Sequence, residues 1–256
     1  MTTTAQSSVA SSAPQPPLPR ETKYWTRTDD RQRIVNALFE RSAAHYDRAC
    51  GIMALGSGQA YRRAALGRAG LCAGMKVLDV GTGTGLLACE VVHLLGPGGH
   101  VVGVDPSPQM MAVGRRHAGI RFVQSVGECL PFPDSHFDFI TMGYALRHVP
   151  DLHEAFQEYF RVLKPGGRVL LLEITKPASA LGAALARVYF GSVVPSLARI
   201  GTRSADAARL MRFYWDTIEH CVAPEVVLAS LSQSGFVAKR TTVHGIFSEY
   251  TASRRG

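Results

Sequence analysis

A chain of 256 residues, 46% hydrophobic with 25 Gly and 14 Pro, suits one large domain, or a domain with an appendage, around a real core. Its five cysteines (Cys50, Cys72, Cys89, Cys129 and Cys221) are scattered without CxxC spacing, which argues against a metal site or a disulfide framework and for reduced thiols in a cytoplasm. The net charge of +8 is unevenly spread, with 13 basic and 12 acidic residues from Asn36 to Thr175 but 10 basic and 5 acidic from Lys176 onward. A basic C-terminal third suits an anionic ligand, an acidic membrane surface or nucleic acid; a solvated basic surface is the plainer alternative.

Residues 1–23 read as a disordered tail, because Met1 to Pro19 is mostly Ser, Thr, Ala, Gln and Pro and lacks the apolar stretch of a secretion signal. One domain then covers 24–256. Its first part, 24–73, holds a helix over 35–46, with Val35, Leu38 and Phe39 at helical spacing, and a second over 58–69 that stops before Gly70. From Gly74 the rhythm changes. Strands at 76–80, 100–104, 120–124, 137–142 and 168–174 alternate with helices at 86–95, 110–117 and 151–163, which predicts a parallel sheet with helices on both faces. An insertion at 178–222 follows, apolar, basic and helix-like. Residues 178–200 within it come nearest to a membrane span, but Arg187, Pro195 and Arg199 interrupt them. A helix at 224–234, Gly235 and two β-rich runs, 236–243 and 246–251, end the sequence as a hairpin around His244 and Gly245.

The chemistry concentrates after the first strand. Val-Leu-Asp-Val-Gly-Thr-Gly-Thr-Gly at 77–85 places a glycine turn between strand and helix, where the backbone can approach a nucleoside closely. Asp105 ends the second strand 20 residues after Gly85, at the position where a carboxylate accepts from both ribose hydroxyls. A merely tight strand-to-helix turn would not need Gly81, Gly83 and Gly85 in alternation. Two features argue against a dinucleotide: Asp79 precedes the turn, where it can pair, directly or through water, with the ammonium of a methionine moiety, and a closing hairpin departs from the plain dinucleotide fold.

These residues resemble class I S-adenosylmethionine-dependent methyltransferases. The resemblance rests on 79–85, Gly103 to Asp105 with Ser107 and Met110, Leu-Pro-Phe-Pro-Asp at 130–134, Ala-Leu-Arg at 145–147 and Arg-Val-Leu-Lys-Pro-Gly-Gly-Arg at 161–168. More narrowly, with Phe39, His45, Tyr46 and Asp47 upstream and Leu172, Glu173, Lys176 and Pro177 at the end, the sequence is similar to the UbiE-type C-methyltransferases of ubiquinone and menaquinone biosynthesis. The likeness runs from Val35 to Pro177 and then thins to an overall layout. It implies an α/β, Rossmann-like, seven-stranded sheet with N-terminal lid helices, a helical insertion before the last hairpin, and S-adenosyl-L-methionine as cofactor. Cofactor contacts are expected from Asp79, Gly81, Thr82, Gly83, Thr84 and Gly85, from Asp105, Pro106 and Met110, from Val126, Gly127 and Glu128 at the adenine, and from Gly143 below the sulfonium. Two departures stand out. Val126 replaces a usual Asp or Asn, so Glu128 or backbone groups must meet the adenine, or packing alone holds it. His148 replaces a usual Asn after Leu146 and Arg147.

His148, at a sheet edge that binds ligands in such folds, can take a proton near neutral pH; it can also be a structural histidine. Arg147 either holds an anionic acceptor or caps the sheet, and Tyr46 either lines the pocket or belongs to the core. Methyl transfer needs alignment and exclusion of water, so elements outside the sheet select the acceptor. The insertion mixes Tyr189, Phe190 and Trp215 with Arg187, Arg199, Arg203, Arg209 and Arg212, which suits a greasy tail with an anionic or polar head; an amphipathic lid with solvated arginines is the alternative. A polyprenylated quinol is the first expectation. C-methylation of a prenyl diphosphate held by the arginines, O- or N-methylation of a small metabolite, and a nucleic-acid-binding module are the others. The partner expected is thus a lipophilic small molecule rather than an obligate nucleic acid, met by a cytoplasmic protein in peripheral contact with a membrane.

Overall fold

The computed structural model describes residues 23–25 and 28–256, so the expected tail lies largely outside the described residues. The sheet has seven strands: β1 (Lys76–Val80), β2 (His100–Asp105), β3 (Ile120–Gln124), β4 (Phe137–Gly143), β5 (Leu163–Ile174), β6 (Phe236–Val243) and β7 (Phe247–Arg254). Their order is β3-β2-β1-β4-β5-β7-β6. The first five are parallel, and β7 enters antiparallel between β5 and β6. The hairpin loop has His244 at φ 51° and Gly245 at φ 72°. Positive φ at two successive turn residues matches the twist of the flanking strands, which explains why a glycine sits there.

Helices α1 (Thr28–Met53), α2 (Gly58–Arg68), α3 (Leu86–Leu95), α4 (Pro108–Gly114) and α5 (Leu152–Val162) precede or separate these strands. In α5, Leu152, Ala155, Phe156, Tyr159 and Val162 are all buried at helical spacing, and the Asp151 side chain caps its first turn by accepting from the amides of His153 and Glu154 at 2.7 and 3.2 Å. Buried Phe139, Leu170 and Leu172 pack with α3 on the other face of the sheet. Sheet strands sealed on both sides are apolar nearly throughout: β1 is buried from Val77 to Val80.

The 178–222 segment is more regular than expected. It forms α6 (Ala180–Val188), a π turn (Tyr189–Val193), α7 (Val194–Thr202) and α8 (Ala205–Glu219), and the first three run on as a single 23-residue helix. Pro195 does not interrupt it. A proline removes one hydrogen bond and crowds the preceding turn, and here that turn is the π turn, which includes Gly191. By length and composition this helix could cross a membrane, but Ala186, Phe190, Val194 and Ala198 pack it into a core with Val35 and Ala49 of α1 and Leu210, Phe213 and Trp215 of α8. A last helix, α9 (Pro224–Gln233), leads into β6. The layer made of α1 and α6–α8 also contacts Ile174 at the end of β5 and Tyr144 just past β4. It therefore caps the carboxyl ends of the parallel strands, above the point where the strand order reverses between β1 and β4.

Candidate active site

A cavity of about 340 Å3 lies at that reversal, between the sheet edge and the helical cap. Such reversals leave a crevice beyond the strand ends, because neighbouring connections run to opposite faces. Its floor is the glycine turn. Gly81 has φ 64°, and a Cβ there would lie 2.6 Å from that of Ala145, so no other residue fits without moving the next loop. Asp105 sits beside the turn with both carboxylate oxygens oriented: one accepts from the Gly83 amide at 2.7 Å, the other from the Ser107 amide at 2.9 Å. Burial pushes its pKa up to about 6, against the pull of these two amides.

Of the expected cofactor residues, Gly81, Gly83, Asp105, Pro106, Met110, Val126, Gly127, Glu128 and Gly143 form the cavity wall. Val126 is 40% exposed and offers only packing, whereas one buried Glu128 carboxylate oxygen has no hydrogen-bond partner among the described residues. A buried, unpaired acceptor beside Gly127 is what an adenine amino group can satisfy. The remaining four stand behind the wall. Asp79 is inside β1, in register with Thr141, whose hydroxyl donates to it at 2.6 Å. Burial raises Asp79 to about 6 and its second oxygen is unpartnered, but the carboxylate lies under the turn instead of facing the cavity. Thr82 packs below Gly103, Gly85 begins α3, and the Thr84 hydroxyl donates to Asp47 of α1. Asp47 also pairs with Arg116, so its carboxylate ties α1 to the cofactor side of the site. At the other end of α1, Arg31 donates to the carbonyls of Arg147 and Val149 at 2.9 and 3.3 Å.

The opposite wall belongs to α1 and α8. Val35, Asn36, Phe39 and Tyr46 from α1 face Tyr144, His148 and Tyr214. Tyr144 is held at φ 62° by a bond from its amide to the Leu172 carbonyl, a left-handed conformation uncommon for an aromatic residue. The Tyr46 and Tyr214 hydroxyls are 2.7 Å apart, and burial holds both phenols well above their usual pKa, so neither supplies a proton acceptor near neutral pH. His148 stacks on Phe213 at 5.5 Å and meets the edge of Phe39 at 5.3 Å. Both its ring nitrogens lack a hydrogen-bond partner among the described residues. Burial, reinforced by the charges of Arg147 and Arg31, pushes its pKa well below the ordinary value, so the ring is neutral.

Several sequence expectations place residues elsewhere. Arg147 is fully buried and off the cavity wall: it pairs with buried Glu173, donates to the Thr217 hydroxyl at 3.0 Å and lies over the Tyr214 ring. It braces the cap against the sheet and is not free to receive an anionic acceptor. None of the residues expected to hold the acceptor reaches the cavity. Tyr189 donates to the Met53 carbonyl, Phe190 and Trp215 stack on each other inside the helical core, and Arg199, Arg203 and Arg212 are on the outer surface. The reason is a choice of face. The side of α6–α7 that carries the aromatics turns toward α1 and α8, and the arginines turn away. Gln32, Asn36 and Tyr144 line the cavity without having been expected there, and Tyr214 lines it from the insertion. Val35 and Phe39, with Tyr46 further along the same helix, did carry a signal, but helical spacing alone does not separate a core face from a pocket wall.

A reversal-point cavity with an oriented carboxylate at the second strand end, under a seven-stranded sheet closed by an antiparallel hairpin, defines an S-adenosylmethionine-dependent methyltransferase. The ubiE/COQ5 methyltransferase family description matches residues 26–252, and the protein belongs to that family. The match extends through the C-terminal third, where the motif resemblance had thinned. The ubiquinone/menaquinone biosynthesis C-methyltransferase UbiE of Pseudomonas paraeruginosa is 34% identical over 229 residues, covering 87% of this chain and 88% of the relative. The UbiE of a Shewanella species is 39% identical over 186 residues, covering 70% and 74%. In fold, the protein is similar to the [4+2]-cyclase SpnF (TM-score 0.64, 17% identity, 88% of this chain and 97% of that one). It is also similar to a methyltransferase from Thermotoga maritima (TM-score 0.62, 19% identity, 86% and 99%).

Proposed function

We propose that this enzyme methylates a ring carbon of an uncharged, lipophilic quinol. The relatives' role in ubiquinone and menaquinone biosynthesis supports this acceptor class, and one observation in this protein carries the choice. Among the described residues, the cavity wall holds no lysine or arginine, and its charged groups are the acids Asp105, Glu128 and Glu154. A prenyl diphosphate there would have its charge buried and unpaired beside like charges, an arrangement that costs several kcal/mol. An aromatic ring finds Phe39, Tyr46, Tyr144 and Tyr214 instead.

S-adenosylmethionine supplies an electrophilic methyl group on a sulfonium. Asp105 accepts from the ribose hydroxyls, Glu128 and the Gly127 segment meet the adenine, and the glycine turn leaves room for the methionine part. The α1 wall presses the acceptor ring toward Gly143 and excludes water. The acceptor ring carbon would take that methyl group, with S-adenosylhomocysteine as the other product. The ring carbon then loses its proton, which His148 accepts on an unpartnered nitrogen. A neutral imidazole is ready for this at neutral pH, and a ring cation is acidic enough that a weakened base suffices. The acceptor itself comes from a bilayer, which makes peripheral membrane contact part of this reading.

The test offers labelled cofactor with a demethylated quinol, a prenyl diphosphate and the matching prenyl alcohol. Turnover of the quinol alone is expected, with the ring carbon labelled. His148→Ala should lower kcat by roughly 10²–10⁴-fold and leave cofactor affinity unchanged. Turnover of the diphosphate and not the quinol would overturn the acceptor; an unchanged kcat in the variant would remove the base.

A further inference from the structure

The long helix formed by α6, the π turn and α7 buries one face and leaves the other bare. Leu181 is 73% exposed, Leu185 63%, Val188 60% and Ile200 74%, with Val193 and Leu197 partly exposed among them. Isolated exposed leucines need no explanation, but a line of six does. The line is also kept straight. At about 100° per residue, an unbroken α-helix would carry Ile200 about 100° away from Leu181. The π turn at Tyr189–Val193 adds one residue between Val188 and Val193 and removes about that rotation, so both halves present their apolar positions on one side.

Cations border this stripe. Arg199 and Arg203 are exposed and make no hydrogen bond or ion pair among the described residues. Arg199, Arg209 and Arg212, from α7 and α8, surround a shallow surface pocket beside Ile200. An apolar strip about 30 Å long with the unpaired guanidiniums of Arg199 and Arg203 along its edge matches the depth profile of an anionic bilayer surface: acyl tails below, phosphates at the rim. The buried face, anchored by Phe190 and Ala198, keeps the helix in the plane of such a surface instead of across it.

We propose that the α6–α7 face docks this enzyme on an anionic membrane, with Leu181, Leu185 and Ile200 entering the acyl region and Arg199 and Arg203 on lipid phosphates. Docking would bring α1, which packs on α7 through Ile52 at Gly201, to the bilayer that holds a lipophilic acceptor. The proposal deepens the quinol reading by naming its partner surface, yet the measurement needs no acceptor, so either can fail without the other.

The experiment is co-sedimentation with vesicles of phosphatidylcholine alone and of phosphatidylcholine containing phosphatidylglycerol, at low and high salt. Wild type should bind the anionic vesicles at least roughly tenfold more tightly than the neutral ones, and salt should weaken it. Leu185→Ser with Ile200→Ser, and separately Arg199→Ala with Arg203→Ala, should each lose roughly tenfold while keeping cofactor affinity. Leu181→Trp provides a reading in an otherwise unaltered protein, since its emission should shift to the blue only on anionic vesicles. No sedimentation of wild type with either vesicle would overturn the proposal. So would a dimer in light scattering that Leu185→Ser with Ile200→Ser dissolves, because the stripe would then cover a second copy of the protein.

Discussion

Asp105 shows how one side chain serves two opposed demands. Two amides aim its oxygens and burial lifts its pKa to about 6. Ribose hydroxyls favour the ionised form, so S-adenosylmethionine affinity should hold above about pH 6 and fall as pH drops through that value, measured by calorimetry. Asp105→Ala removes two bonds to a charged acceptor, roughly 1.5–3 kcal/mol each, and should flatten that pH dependence. The stability sign is opposite. A carboxylate whose folded pKa is raised stabilises the cofactor-free protein below its unfolded value and loses that contribution as pH rises through about 6. Arg147 answers to stability alone. Arg147→Ala strips buried Glu173 of its counter-ion, which should cost about 3–5 kcal/mol and appear as a lower urea midpoint. Motif matching placed Arg147 beside the site but could not show this, since its partner is on the next strand and its stacking ring on α8.

Elements differed in how far the sequence announced them. Strands β1 and β3 and helix α3 begin and end where apolar runs and glycines predict, because their neighbours lie within a few tens of residues and both sheet faces are sealed. Helix α1 is far longer than 35–46 because its added turns are held by distant partners, α7 and α8 among them, that lie more than a hundred residues away. Pro195 sits within a continuous helix because the turn before it is a π turn rather than an α-helical one. The π turn is therefore testable. Inserting one alanine after Ser192 adds a residue that the turn does not already absorb, so it should rotate α7 by about 100° against α6 and withdraw Val194 and Ala198 from the core. A melting temperature lowered by several degrees, with cofactor binding retained by the sheet, is the expected result. An unchanged melting temperature would show that the phase of α7 against α6 is idle.

Across the whole molecule, the cofactor half of the cavity is local in sequence and the acceptor half is not. Gly81, Gly83, Asp105, Pro106 and residues 126–128 stand at the ends of successive strands, so spacing alone brought them to one wall of the cavity. The acceptor wall joins Phe39 and Tyr46 to Tyr144, His148 and Tyr214, and only the packed cap brings these together. Composition showed a greasy, basic insertion, but composition has no inside and outside. The aromatics fill the cap, and the arginines mark its rim.

Helix α1 is fastened at both ends, by Asp47 to Thr84 and Arg116, and by Arg31 to the carbonyls of Arg147 and Val149. Its corner with α2 passes through Leu55 at φ 48° and Gly56 at φ 79°, a bend that can absorb rotation. The helix that walls the cavity is thus held by two latches, one of which grips the glycine turn. Any opening of the site along this wall must break both fastenings, the guanidinium at one end of the helix and the carboxylate at the other.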